Sequence, residues 1–243
     1  MGGSFGWGIL ASSSLVIGAL IALRFNLKSR VIGLILGFGG GVLISAVAFD
    51  LVQEASDKST ANGALIGGLL SGCLVFFVGD LLIDRAGGSK RKAHTGAQEE
   101  GSPLAIVLGT VLDGIPESMV IGLTIYQGGQ VGAAYLAAVF ASNLPEAIAS
   151  TSGLVSSGWK QWRILVMWTG IAVVSGLASL AGYAMFQNAS PEVIAFVLTF
   201  AAGAILTMLA DTMMPEAYEH GGKWVGVLTT LGFAMAYTIH LLD

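Results

Sequence analysis

The feature that most constrains this chain is a recurrence. Eight times in its 243 residues an apolar stretch of about 20 residues alternates with a polar break. About 20 apolar residues is the length of α-helix that crosses the ~30 Å hydrocarbon core of a bilayer. The stretches are residues 5–23, 31–54, 61–83, 103–126, 131–156, 164–186, 191–216 and 224–242. Lipid offers no hydrogen bonds to the backbone, so segments of this kind fold as helices. The expected fold class is therefore all-α: a polytopic membrane protein of eight transmembrane helices forming one domain over residues 1–243.

Composition agrees. Hydrophobic residues make up 54% of the chain and charged residues 11%, against about 25% charged in a soluble domain. So few charges cannot coat a water-facing surface; the expected surroundings are the lipid bilayer, and no nucleic-acid partner is expected. The single cysteine, Cys73, lies in an apolar run and excludes a disulfide framework or a thiolate cluster. Residues 1–8 carry no basic segment, so no signal peptide is expected. The 35 glycines point to close helix contact. Gly33, Gly37 and Gly41 line one helix and Gly68 and Gly72 the next. Their partner is either elsewhere in the chain or a second copy in a homodimer.

The basic residues orient the helices. Arg24, Lys28, Arg30, Arg85, Lys90, Arg91, Lys92, Lys160, Arg163 and Lys223 all fall in the odd-numbered connections, and only Lys58 falls on the other side. The positive-inside rule then places odd connections in the cytoplasm and both termini outside. The long connection, residues 85–102, is polar and glycine-rich and is expected to be a mobile cytoplasmic loop between helices three and four.

The second and seventh stretches echo each other. At a constant offset of 162 residues Gly41 aligns with Gly203, Ser45 with Thr207, Glu54 with Glu216 and Ala55 with Ala217. The two run in opposite directions across the membrane, which is the pattern of an inverted 3+2+3 repeat.

Chemistry concentrates in the middle pair. The fourth stretch contains Asp113-Gly114-Ile115-Pro116-Glu117-Ser118 and the fifth Ser142-Asn143-Leu144-Pro145-Glu146-Ala147. An acid at the centre of a membrane helix costs about 2.5–3.5 kcal/mol on insertion scales. No Lys or Arg lies within any of the eight stretches, so the compensating partner is a proton, water or a bound cation. Asp113 and Glu117 are four apart and share a helix face, as do Asn143 and Glu146, three apart. If the two faces meet, carboxylate and amide oxygens converge as they do around hard or borderline divalent ions. Pro116 and Pro145 free the carbonyls of Leu112 and Ala141 as further oxygen donors. A protonated carboxyl serving as helix–helix glue is the plain alternative for any one of these acids.

Other acids lie nearer the ends. Asp50 and Glu54 share a face late in the second stretch and would line an extracellular approach. Glu54 suits an ordinary interfacial acid equally well. Asp211, Glu216, Glu219 and His220 close the seventh helix on the cytoplasmic side, where they would form a way out, although a solvated helix end also explains Glu219 and His220. Asp80 and Asp84 are expected at the cytoplasmic interface. His94 is read as a loop residue, and His240 receives no role. Met208, Met213 and Met214 are read as packing.

These motifs resemble the ZIP (Zrt/Irt-like) family of divalent metal transporters. The resemblance covers eight spans, external termini, the polar loop after helix three, the Pro-Glu motifs of helices four and five, and the helix ends Asp50-Leu-Val-Gln-Glu54-Ala and Met214-Pro-Glu216-Ala. It implies a binuclear metal centre at Asp113, Glu117, Ser142, Asn143 and Glu146, with Asp50 nearby. The family's fourth-helix motif is His-Asn-x-Pro-Glu-Gly. Here Asp113 stands for the His and Gly114 for the Asn, and the sixth stretch carries no acid. The expected cargo is a divalent metal ion, Zn²⁺ first, with Mn²⁺, Fe²⁺ and Cd²⁺ as others an oxygen-rich site admits. The expected activity is transport toward the cytoplasm by alternating access, and not an enzyme's. An intramembrane metal-dependent hydrolase and a cation channel are the alternatives. The hydrolase is disfavoured because no His and no activated nucleophile lies in the central motifs.

Overall fold

The computed structural model describes residues 2–25, 27–59, 62–83, 85, 103–128 and 133–242. Among these there are eight long helices and no strand. They are α1 Gly2–Arg24, α2 Ser29–Lys58, α3 Asn62–Ile83, α4 Pro103–Gly128, α5 Ala133–Ser156, α6 Gln161–Met185, α7 Pro191–Gly221 and α8 Trp224–His240. Apolar runs set the starts and stops. Extended residues break the chain before α2, α6 and α7, at Lys28, Lys160 and Ser190. Pro191 opens α7, where its missing N–H has no partner to lose. Gly222, with φ of 62°, turns the chain from α7 into α8.

Five of these helices are long and apolar enough to cross a membrane: α1, α2, α3, α6 and α7. α8 is apolar but shorter, at 17 residues. α4 and α5, with 26 and 24 residues, each exceed the ~20 residues that a crossing requires. The outer face of α3 exposes Ile66, Leu70, Leu74, Phe77 and Leu81. A water-soluble bundle would bury such a face. A multi-pass membrane protein turns it to lipid.

Packing follows the glycines. α8 lies along α2, and α3 lies along α7. A Cβ placed on Gly41 of α2 would strike the carbonyl oxygen of Thr229 in α8, and one on Gly232 of α8 would strike that of Phe38 in α2. The other pair repeats this. A Cβ on Gly203 of α7 would strike the Leu69 carbonyl in α3, and one on Gly72 of α3 the Phe200 carbonyl in α7. Between lipid-bathed helices there is no hydrophobic drive to associate, so such close backbone approach and the dispersion it allows hold the pairs together. The partner of the glycine stripes is thus within the chain: Gly33 faces Ala217 and Gly221 of α7, Gly37 faces Val225 of α8, and Gly68 faces Phe196 of α7.

α4 lies along α6, α5 along α1, and α1 also along α6. Glycine again allows close approach: a Cβ on Gly122 of α4 would strike the Ser179 carbonyl of α6, and one on Gly18 of α1 the Leu144 carbonyl of α5, and polar ties join α6 to both α1 and α5. Ser179 of α6 donates to the Ser4 carbonyl of α1 at 2.9 Å, and the fully buried Trp168 indole of α6 donates to Thr151 of α5 at 2.8 Å. α4 and α5 touch each other only lightly. They form a middle pair, each leaning on a different neighbour.

α2 and α7 share one further feature. Each runs through a stretch of π-helix, Val47–Gln53 in α2 and Leu209–Met213 in α7. Val47 and Leu209 stand at the same offset that aligns Gly41 with Gly203. A π turn widens the backbone by one residue and is common where a helix carries function. Each of these holds an acid, Asp50 and Asp211.

Candidate metal site

The middle pair places its polar residues inward. Asp113 and Glu117 of α4 are 5% and 3% exposed, and Asn143 and Glu146 of α5 are 7% and 5% exposed. Ser142 is buried too, and its hydroxyl donates to the Val139 carbonyl at 3.0 Å. That bond uses the hydroxyl's only proton and leaves its oxygen as an acceptor. Pro116 and Pro145 lie inside continuous helices, as their place in the motifs requires. Burial of three carboxyls in helices that contain no basic residue between their ends is the chief electrostatic fact of the molecule.

The far end of α2 holds a further acid. Asp50 sits in the π segment with its side chain 13% exposed, and His240 Nδ1 of α8 lies 2.8 Å from its Oδ1, an imidazole N–H donating to a carboxylate. Phe49 packs on His240 with ring centroids 5.4 Å apart, and Tyr237 and Phe233 pack on Phe49 at 4.7 and 6.0 Å. His240, to which the sequence reading assigned no role, is therefore a direct partner of Asp50. Nothing local could have shown it, because the two residues are 190 positions apart. Glu54, one turn beyond Asp50, pairs with Lys58 at 3.1 Å, with both side chains about one-third exposed or less. The pair ties Glu54 along its own helix.

A second residue was missed. Tyr135, in the first turn of α5, is 2% exposed. Its hydroxyl oxygen is sealed from solvent. Its spacing held a usable signal: Tyr135, Ser142 and Glu146 stand at i, i+7 and i+11, one face of a helix.

At the other end of α7, ligand atoms of Glu216, Glu219 and His220 lie within 4.8 Å of one another. His220 Nδ1 is 3.5 Å from Glu216 Oε1. Asp211 is exposed in the π segment, beside a cavity of about 400 Å³ lined by Phe77, Asp80, Leu81, Ala210 and Asp211. Met213 and Met208 are buried in the core and Met214 packs against it, as expected of packing residues. Asp84, His94 and all of the 85–102 loop except Arg85 lie outside the described residues.

Comparison with proteins of known identity gives one consistent result. The chain is similar to the zinc transporter ZupT of Salmonella newport (strain SL254), at 26% identity over 222 residues, covering 87% of this chain and 85% of the relative. ZupT of Salmonella typhimurium (strain LT2) and ZupT of Salmonella agona (strain SL483) match to the same extent. No protein-family model matches the chain. The similarity runs through nearly the whole chain and bears out the resemblance to ZIP transporters carried by its motifs.

Proposed function

We propose that this relative of the ZupT zinc transporters carries divalent metal ions, zinc first, across the cell membrane toward the cytoplasm, through a carboxylate-rich site between α4 and α5. One observation carries the reading: Asp113, Glu117 and Glu146 are buried in membrane helices that contain no Lys or Arg between their ends. A dication offsets their charge, and its passage gives them a use. The relatives it matches are named as transporters, not as enzymes, and we read residues 1–243 as one transporter domain.

In this account all eight helices cross the bilayer, in an inverted 3+2+3 arrangement with both termini outside. Support comes from the mirrored glycine contacts of α2–α8 and α3–α7 and from the two π segments that begin at equivalent positions. The cation approaches past Glu54 and Asp50 and sheds water. It binds among Asp113, Glu117, Ser142, Asn143 and Glu146, and leaves past Asp211, Glu216 and His220. With the family's His replaced by Asp113 and its Asn by Gly114, the site offers mainly oxygen. Oxygen ligands favour Mn²⁺ and similar ions more than imidazole does, so selectivity is broader than zinc alone.

The test is uptake of radioactive zinc by proteoliposomes holding the purified protein. Glu117→Ala and Glu146→Ala each abolish metal-dependent uptake while the protein still inserts. Uptake at the parent rate by either variant contradicts the assignment. Asp113→His shifts competition between Zn²⁺ and Mn²⁺ toward zinc, and unchanged competition removes Asp113 from the site.

A further inference from the structure

Tyr135 stands apart from the other buried polar groups. Its hydroxyl oxygen is sealed from solvent and has no hydrogen-bond partner among the described residues. A buried phenol in that condition costs about 1–3 kcal/mol, so natural cores seldom keep one without a use. The hydroxyl lies in the electrostatic reach of two carboxylates on different helices, Glu117 of α4 and Asp50 of α2. It also shares a helix face with Ser142 and Glu146. At 1.5 Å per residue that face carries Tyr135 roughly 16 Å above Glu146, toward the end of the molecule where Asp50 meets His240. α8, which carries His240, and the Ser29–Ala46 part of α2 both pack on α5.

We propose that Tyr135 is a binding residue for the partly hydrated cation on its way from Asp50 to the central site. Its hydroxyl oxygen accepts a hydrogen bond from a water that the ion still carries. A metal-bound water is a strong donor, and a neutral phenol oxygen takes that bond without adding negative charge or stripping the ion. Asp50 and Glu117 supply the attraction, and Tyr135 supplies the polar contact between them. The inference rests on the transport reading above and adds a residue to it.

The test is Tyr135→Phe, which keeps the ring and removes only the oxygen. Initial rates of zinc uptake into proteoliposomes are measured across zinc concentrations, beside thermal unfolding of the metal-free protein in detergent. Loss of one hydrogen bond to the cargo raises KM about three- to tenfold. It leaves kcat within about twofold, because the later steps are untouched. The metal-free Tm does not fall, because no bond within the protein is lost. An unchanged KM overturns the proposal. So does a drop in Tm that accompanies the KM change, which would mark the hydroxyl as structural. A fall in kcat at constant KM overturns it as well. If parent liposomes take up no more zinc than empty ones, the transport reading itself fails and this inference goes with it. If the parent transports, Glu117→Ala does not, and Tyr135→Phe matches the parent, only the inference about Tyr135 fails.

Discussion

The pairs α2–α8 and α3–α7 differ from the middle pair, α4 and α5, in what lies between the two helices. α2 with α8 and α3 with α7 are apolar helices pressed together through glycine, with the carbonyl of one helix where a Cβ of the other would be. α4 and α5 hold the prolines and the buried acids, touch each other lightly, and lean on α6 and α1 instead. In those pairs glycine stands where the two backbones come closest. In the middle pair, costly groups are retained where cheap ones would pack better. The groups that cost stability are gathered in α4 and α5, apart from the contacts that join α2 to α8 and α3 to α7.

Substitutions can break that separation. The largest effect is expected from Gly41→Leu and its counterpart Gly203→Leu. Each drives a side chain into a facing backbone carbonyl, and overpacking of this kind costs about 1–3 kcal/mol or more. Folded yield, read as the monodisperse fraction on size-exclusion chromatography, should collapse in both and by similar amounts. If one is tolerated, the two glycine-joined pairs are not equivalent. Next come conservative changes in the middle pair. Glu117→Gln and Glu146→Gln remove a charge and keep the shape, so uptake should fall by about 100-fold or more while Tm holds or rises, because a buried charge has been relieved. A large fall in Tm would make these acids part of what holds the fold together.

Smaller effects are expected at the end of α2. His240→Ala removes one partner of Asp50 and should change zinc KM by about three- to tenfold, with folded yield retained, as measured by uptake kinetics. Least of all is expected from Lys58→Ala. The Lys58–Glu54 pair is partly exposed and lies along one helix, so its loss should cost about 0.5 kcal/mol or less, below what thermal unfolding resolves. A strong uptake defect in that variant would make Glu54 a working acid rather than an interfacial one.

How far these two designs could be read from the chain differs. The eight apolar stretches predicted helix bounds closely. The fourth, 103–126, became Pro103–Gly128, and the seventh, 191–216, ran on to Gly221. Length against bilayer thickness is a local property, and so are the Pro-Glu motifs, which is why Asp113, Glu117 and Glu146 stood out at once. The glycine stripes were legible, but not what they touch. Choosing between α8 and a second copy as the partner of Gly41 requires the tertiary fold. The π segments left no mark in α2, because a slip from i+4 to i+5 bonding involves no particular residue type. In α7, Pro215 follows shortly after the π segment and hints at a disturbed ladder. His240 was illegible because its meaning lies in Asp50, at the other end of the chain. Tyr135 was overlooked because an aromatic at helical spacing ordinarily reads as core.

The account turns on whether a dication sits between the two buried glutamates. Crystals grown with zinc, with data collected on both sides of the zinc absorption edge, decide it. The account predicts an anomalous peak between α4 and α5 within bonding distance of Glu117 and Glu146. Peaks confined to the helix ends, with Glu117 and Glu146 turned apart toward ordinary neighbours, would contradict it.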